Sequence, residues 1–270
     1  MTVRLGLRRG GDPEVGALAI AATGFVVALA AAGIAGELGG LSLGELWPFF
    51  VIGLFVPGLS QILFVHAVRG AGSARTAILV GTGPVVSALL AIALLDEPLQ
   101  AGLAAGTVLV VGGGIALAGE RVRPADFRAF GAVLALVCAV LFGIRDNAVR
   151  WANDDNAPPL AATAVSLLAA AAFVLVYVLV ARRDDLGRQL RVATPAFAPA
   201  GVALGLAYCA VIVALDRGRV TVVAPLNATQ SLWGVILAAL VFGSLEMVGR
   251  RTVLAGVLVV AGAVVIGAAR

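Results

Sequence analysis

Lysine is absent from this chain of 270 residues, and all 19 of its basic residues are Arg. Charge of either sign is scarce, at 13% of residues, about half the roughly 25% of a soluble domain. That leaves too little polar surface to coat a water-facing globule. Only two cysteines occur, Cys138 and Cys209. Both fall inside apolar runs, which supports neither a disulfide framework nor a metal site. There is one histidine, His66, and no HExxH, Walker A loop or GxSxG. With no base–nucleophile–metal set in view, neither enzyme chemistry nor a cofactor is expected. The alternating apolar and polar residues of a membrane β-barrel are missing as well. An acidic balance is missing too: the net charge is +4. The Arg residues sit mostly in short links between apolar runs, where they set topology, so nucleic acid is not an expected partner.

What is present is apolar sequence: 61% hydrophobic residues and a mean hydropathy of +1.07. It recurs in runs of about 20 residues, the length that crosses a hydrocarbon core of roughly 30 Å. The chain therefore reads as an all-α integral membrane protein. Nine spans are expected, at residues 15–35, 46–67, 75–95, 100–119, 128–151, 160–181, 196–215, 220–242 and 250–268. Residues 1–14 form a basic polar tail. The apolar run behind it lacks a convincing cleavage site, so it reads as a retained helix. Punctuation falls between spans, at Gly39-Gly40, Asp96-Glu97-Pro98, Arg123-Pro124, Pro158-Pro159 and Thr194-Pro195.

Glycine, with 34 copies, is unusually common. Lipid gives helices no hydrophobic reason to pair, so small residues supply the packing faces. An internal repeat uses them. At an offset of 150, Ala105, Gly106, Val110, Gly112 and Ala118 meet Ala255, Gly256, Val260, Gly262 and Ala268. Near the same offset, Arg69-Gly70 resembles Arg217-Gly218, and Glu97 is matched by Glu246. The first repeat covers residues 15–120 with four spans, and the second covers 128–270 with five.

The order of these motifs resembles the EamA family of the drug/metabolite transporter superfamily. The residues that carry the likeness are His66-Ala67-Val68-Arg69-Gly70, Pro84, Leu95-Asp96-Glu97-Pro98 and Gly106 through Gly114. The second copy reads Ala214-Leu215-Asp216-Arg217-Gly218, Gly243-Ser244-Leu245-Glu246 and Gly256 through Gly267. It departs in having Ser244-Leu245 between Gly and Glu, and Trp233 near the expected Pro. The resemblance implies ten helices in two inverted five-helix repeats, so the first of the usual ten is expected to be absent here. It also implies a secondary transporter of small organic metabolites, amino acids or drugs in the cytoplasmic membrane, often an exporter. Alternating access would occur around a midplane site between the repeats. The alternative is a non-transporting partner that stabilises or regulates another membrane protein. Expected partners are the lipid bilayer, a small-molecule substrate and, as one option, a second copy of the chain. Fourteen of the 19 Arg residues lie on the side of the N-terminal tail. The positive-inside rule then puts that tail in the cytoplasm and the C-terminus opposite, whereas the resemblance implies both ends inside.

The polar residues within spans are the candidate substrate-binding set, each weighed against ordinary helix packing. Gln61 follows Pro57 and Gly58, which favour a kinked helix. Thr82 and Ser87 lie on one small-residue span. Asn227, Gln230 and Ser231 lie on its repeat partner, spaced to share one face. Tyr208 lies mid-span. Arg145, Asp146 and Asn147 interrupt an apolar run towards the end of the fifth span. Adjacent residues are about 100° apart on a helix, so Arg145 and Asp146 are not expected to face each other. Asp146 is a candidate proton-coupling residue and Arg145 a candidate anion contact, against the plainer reading of a snorkelling anchor. Glu97 and Glu246, at helix ends, are candidate gating or boundary residues.

Overall fold

The computed structural model describes residues 2–8, 12–39, 42–95, 101–118, 127–152, 157–181, 186–217, 223, 226–242 and 249–268. Among the described residues all regular structure is helical. The helices are α1 Thr2–Arg8, α2 Pro13–Ile34, α3 Leu43–Gly53, α4 Ser60–Ala71, α5 Ser73–Val80, α6 Gly83–Leu95 and α7 Ala101–Ala118. They continue with α8 Ala129–Ala152, α9 Pro159–Ala181, α10 Leu186–Arg217, α11 Gln230–Phe242 and α12 Arg250–Ala268. Among the described residues six stretches are long and apolar enough to cross a bilayer: α2, α3 through α4, α8, α9, α10 and α12. Residues 101–117 and 226–242 form shorter apolar helices.

Helix starts follow local chemistry. The Asp12 carboxylate accepts from Glu14 N at 2.9 Å and Val15 N at 3.3 Å, and Pro13 opens α2 where no amide is needed. At the other end of α2, Gly36 turns the chain with φ +75°, a conformation that costs glycine nothing. That turn delivers the Glu37 carboxylate to the start of α9, where one of its oxygens accepts from Leu160 N at 2.7 Å and Ala161 N at 3.1 Å. A negative charge on exposed amides at a helix start is favourable twice over, by hydrogen bonding and by the helix dipole.

Two expected spans are broken. The second is interrupted at residues 54–59, where Val56 is extended (φ −140°, ψ 106°) and Pro57 supplies no amide. The third parts into α5 and α6 at a turn through Gly81 and Thr82. The Thr82 hydroxyl donates to Leu79 O at 2.7 Å there, a local bond that competes with helix continuation.

Two compact units emerge, and neither is a sequence repeat. One comprises Thr2–Val65 with Ala148–Arg217, the other His66–Asn147 with Gly218–Arg270. Each takes helices from both halves of the chain.

In the first unit, α2 packs along α10 through glycines. A Cβ on Gly201 would lie 2.8 Å from Ile20 O, and one on Gly205 2.8 Å from Gly24 O. Contacts advance together along both helices, so α2 and α10 run parallel. The α3–α4 stretch likewise runs parallel to α9. Gly53 backs onto Ser166, Gly58 onto Ala170, and the buried Ser166 hydroxyl donates to Phe49 O at 3.0 Å. That bond supplies a partner to a carbonyl beside the break.

In the second unit, α7 and α12 cross on Gly106 and Gly262. A Cβ on either would come within 2.5–2.6 Å of the other's carbonyl oxygen. Gly113 meets Ala255 and Val259 further along, so numbering rises on one helix as it falls on the other: the pair is antiparallel. α5 and α11 are antiparallel too, by Gly234 on Ala77 and Ser231 on Gly81. α6 and α8 run parallel, by Gly83 on Ala139 and Gly143 on Val86 and Ser87.

Candidate functional site

A polar cluster in the second unit is built by α8 against α6. α8 starts as an apolar helix and carries Gly143 where it touches α6. With no side chain at Gly143, the next turn approaches closely enough for Asn147 to reach Ser87. Asn147 Nδ2 donates to Ser87 Oγ at 3.0 Å, Ser87 O at 3.4 Å and, one turn back, Gly143 O at 2.9 Å. Arg145 and Asp146 are both buried.

These two residues correct the sequence expectation. Arg145 Nε donates to Asp146 Oδ1 at 3.0 Å and its Nη2 to the same oxygen at 2.6 Å. Helical geometry fixes where each Cβ points, but the guanidinium stands two methylenes beyond Cβ and curls back along the helix. The Phe142 ring lies 5.3 Å from the guanidinium carbon, at i−3, and fixes that curl by a cation–π contact. Charge pair and amide cluster thus occupy consecutive residues of one helix in an otherwise apolar neighbourhood.

The other expected residues are placed as follows. Thr82 sits at the α5–α6 turn, half-buried, with its hydroxyl used locally. Ser231 is fully buried and donates to Ala77 O at 3.0 Å, so it joins α11 to α5. Asn227 is half-buried and Gln230 exposed; the three residues expected on one face have three different surroundings. Gln61 and Tyr208 are buried in the other unit, on α4 and α10. Glu97 and Glu246 lie outside the described residues.

Sequence reasoning missed three features. It placed Arg75 at the very start of the third span and gave it no role, yet it is 2% exposed, inside the first turn of α5. The signal was the apolar run that starts immediately after it. Phe142 under Arg145 could have been found from its i, i+3 spacing. Glu37 on α9 has no signal in sequence, because 123 residues separate the partners.

The EamA model, described as the EamA-like transporter family, matches residues 6–118 and again 129–268. The chain belongs to this family. EamA proteins are membrane transporters of the drug/metabolite transporter superfamily, not enzymes. The double match coincides with the internal repeat and makes this EamA protein a multi-pass membrane protein. A crystal structure described only as that of a protein is similar in fold. Its TM-score is 0.67 at 21% identity, over 95% of this chain and 88% of the other. No curated protein matches the chain.

Proposed function

We propose that this EamA protein is a secondary transporter that carries small organic metabolites, such as amino acids, related solutes or drugs, across the cytoplasmic membrane by alternating access. Outward transport is the proposed direction. The observation that carries the reading is the buried Arg145–Asp146 pair beside Asn147 and Ser87. A buried ion pair is weak evidence for stability, because desolvation opposes its attraction. Inside a membrane such groups mark ion and substrate pathways. Asp146 is the proposed proton carrier, Arg145 its counter-charge and contact for an anionic group, and Asn147 with Ser87 the neutral hydrogen-bonding wall. Thr82, Asn227, Gln230 and Ser231, and in the other unit Gln61 and Tyr208, are proposed as further lining. Glu97 and Glu246 are proposed boundary residues.

The proposed topology is nine passes in two inverted repeats. Packing directions support it. With α3–α4 and α5–α6 each counted as one pass, α5 and α11 lie on the third and eighth passes, and α7 and α12 on the fourth and ninth. Passes five apart must run in opposite directions, and both pairs are antiparallel. α2 with α10, α4 with α9, and α6 with α8 are an even number of passes apart, and all three run parallel.

A non-transporting membrane partner is the second reading. It is favoured by the bonds of Asn147 and Ser231, which close onto neighbouring helices. Proteoliposomes loaded with a panel of amino acids and metabolites, under an imposed pH gradient, separate the two. The transporter accumulates at least one solute. Asp146→Asn keeps solute exchange and loses proton-driven accumulation, while Arg145→Gln lowers both. Full transport with unchanged pH dependence in both variants would reduce the cluster to an anchor. Folded protein that moves nothing in the panel would favour the partner reading.

A further inference from the structure

A cavity of about 590 Å³ lies within the His66–Asn147 segment, walled by α5, α6, α7 and the start of α8. Its volume is in the range of small-molecule sites, roughly 300–1,000 Å³. The chemistry of its wall is lopsided. Leu79, Val86 and Val110 are typical of the lining, and among the described residues the polar exceptions are Arg75 and Thr82. The Thr82 hydroxyl is already donated to Leu79 O. A water-soluble solute would therefore give up most of its hydrogen bonds on entering, at several kcal/mol by order of magnitude.

Among the described lining residues the one charged group is at one end. Arg75 stands in the first turn of α5, immediately after the chain turns at Gly72 (φ +86°). Phe127, which leads into α8, and Leu117, near the end of α7, line the same end. Arg128 N donates to Gly70 O at 2.7 Å, which fixes the start of α8 beside that turn. Arg69 and Arg128 are both exposed there and put two cations on the rim. Arg75 and Val86 lie on α5 and α6, which part at Gly81 and Thr82, so even laid end to end the helical turns between them span only about 16 Å, close to half of a hydrocarbon core of roughly 30 Å. Val111, Ile115 and Leu136 of the lining are exposed on the apolar outer surface, so the cavity opens sideways, towards lipid tails.

We propose that this cavity holds one acyl chain of an anionic phospholipid drawn laterally from the bilayer, with its phosphate on Arg75 and its headgroup between Arg69 and Arg128. A single-leaflet depth, a lateral mouth and an acidic-group receptor at the interface end are together what such a lipid requires. Guanidinium N–H groups form a fork of five donors that matches phosphate oxygens and serves more than one partner at once. Exposed Arg residues at the rim attract anionic headgroups before the chain enters.

Native mass spectrometry of the full chain in detergent tests this, with dioleoylphosphatidylglycerol, dioleoylphosphatidylcholine and oleate added separately. The expected result is one retained phosphatidylglycerol, with phosphatidylcholine about ten-fold weaker. Arg75→Gln weakens phosphatidylglycerol about ten-fold and leaves phosphatidylcholine unchanged. Ala132→Phe, which fills the wall of the cavity and leaves every charge in place, weakens both lipids. If Arg75→Gln fails to fold, Ala132→Phe and the comparison of lipids on the wild-type chain decide. Equal retention of the two phospholipids, retention untouched by Ala132→Phe, or binding of oleate without phosphatidylglycerol would each overturn the assignment.

Discussion

Ser87 and Asn147 are 60 residues apart in sequence and share a 3.0 Å hydrogen bond. Their meeting depends on Gly143, where a Cβ would lie 3.0 Å from Ser87 N. Ser87→Ala removes the hydroxyl partner and leaves the amide its bonds to Ser87 O and Gly143 O. The expected loss is about 0.5–1.5 kcal/mol, the net worth of one hydrogen bond, read as a lower unfolding midpoint in detergent. A loss of transport far beyond that stability change would place the pair in the pathway; an unchanged midpoint would show that the bond contributes nothing. At this scale the sequence was legible in part. Residue types and depth in the span identified Ser87, Arg145, Asp146 and Asn147 as a polar set. The direct Arg145–Asp146 bond was not legible, because helical geometry fixes Cβ directions and says little about the tip of a long side chain.

Among the described residues each of the nine expected ranges overlaps a helix, and six helical stretches are long and apolar enough to cross a bilayer. Their interruptions were less visible. Pro57 announced the break in the second span, whereas the α5–α6 turn rests on Gly81 and Thr82, residues that occur inside many continuous helices of this chain. Glycines at crossings carry the packing energy. Gly262 faces Gly106 with no space for a side chain, since a Cβ there would lie 2.5 Å from Gly106 O. Gly262→Leu should force α7 and α12 apart and cost about 1–3 kcal/mol or more, the range for overpacked cores. Gly112, with nothing within 4 Å of its would-be Cβ, is the control: Gly112→Leu should leave the midpoint nearly unchanged. Equal effects of the two substitutions on thermal unfolding would contradict the crossing.

For the whole molecule, the internal repeat was legible from matching glycines, and the family match follows the same two segments. The compact units were not legible. Sequence similarity groups residues by descent, whereas packing groups them by contact, and here α7 chooses α12 while α2 chooses α10. The proposed nine passes would put the two ends of the chain on opposite faces, and the distribution of Arg assigns the N-terminus to the cytoplasm in that proposal. Reporters active in only one compartment, fused to each end in turn, test this. One active and one silent fusion are expected, and two of the same kind would remove the odd count.

The sorting of both halves into both units sets a timetable for synthesis. When Arg217 leaves the ribosome, every residue of the Thr2–Val65 and Ala148–Arg217 unit has been made. The other unit is then still without α11 and α12. Through that interval α5 and α7, made much earlier, lack the partners that α11 and α12 supply to Gly81, Gly106 and Gly113 in the folded structure. The native packing of two early membrane segments thus depends on two made long after them.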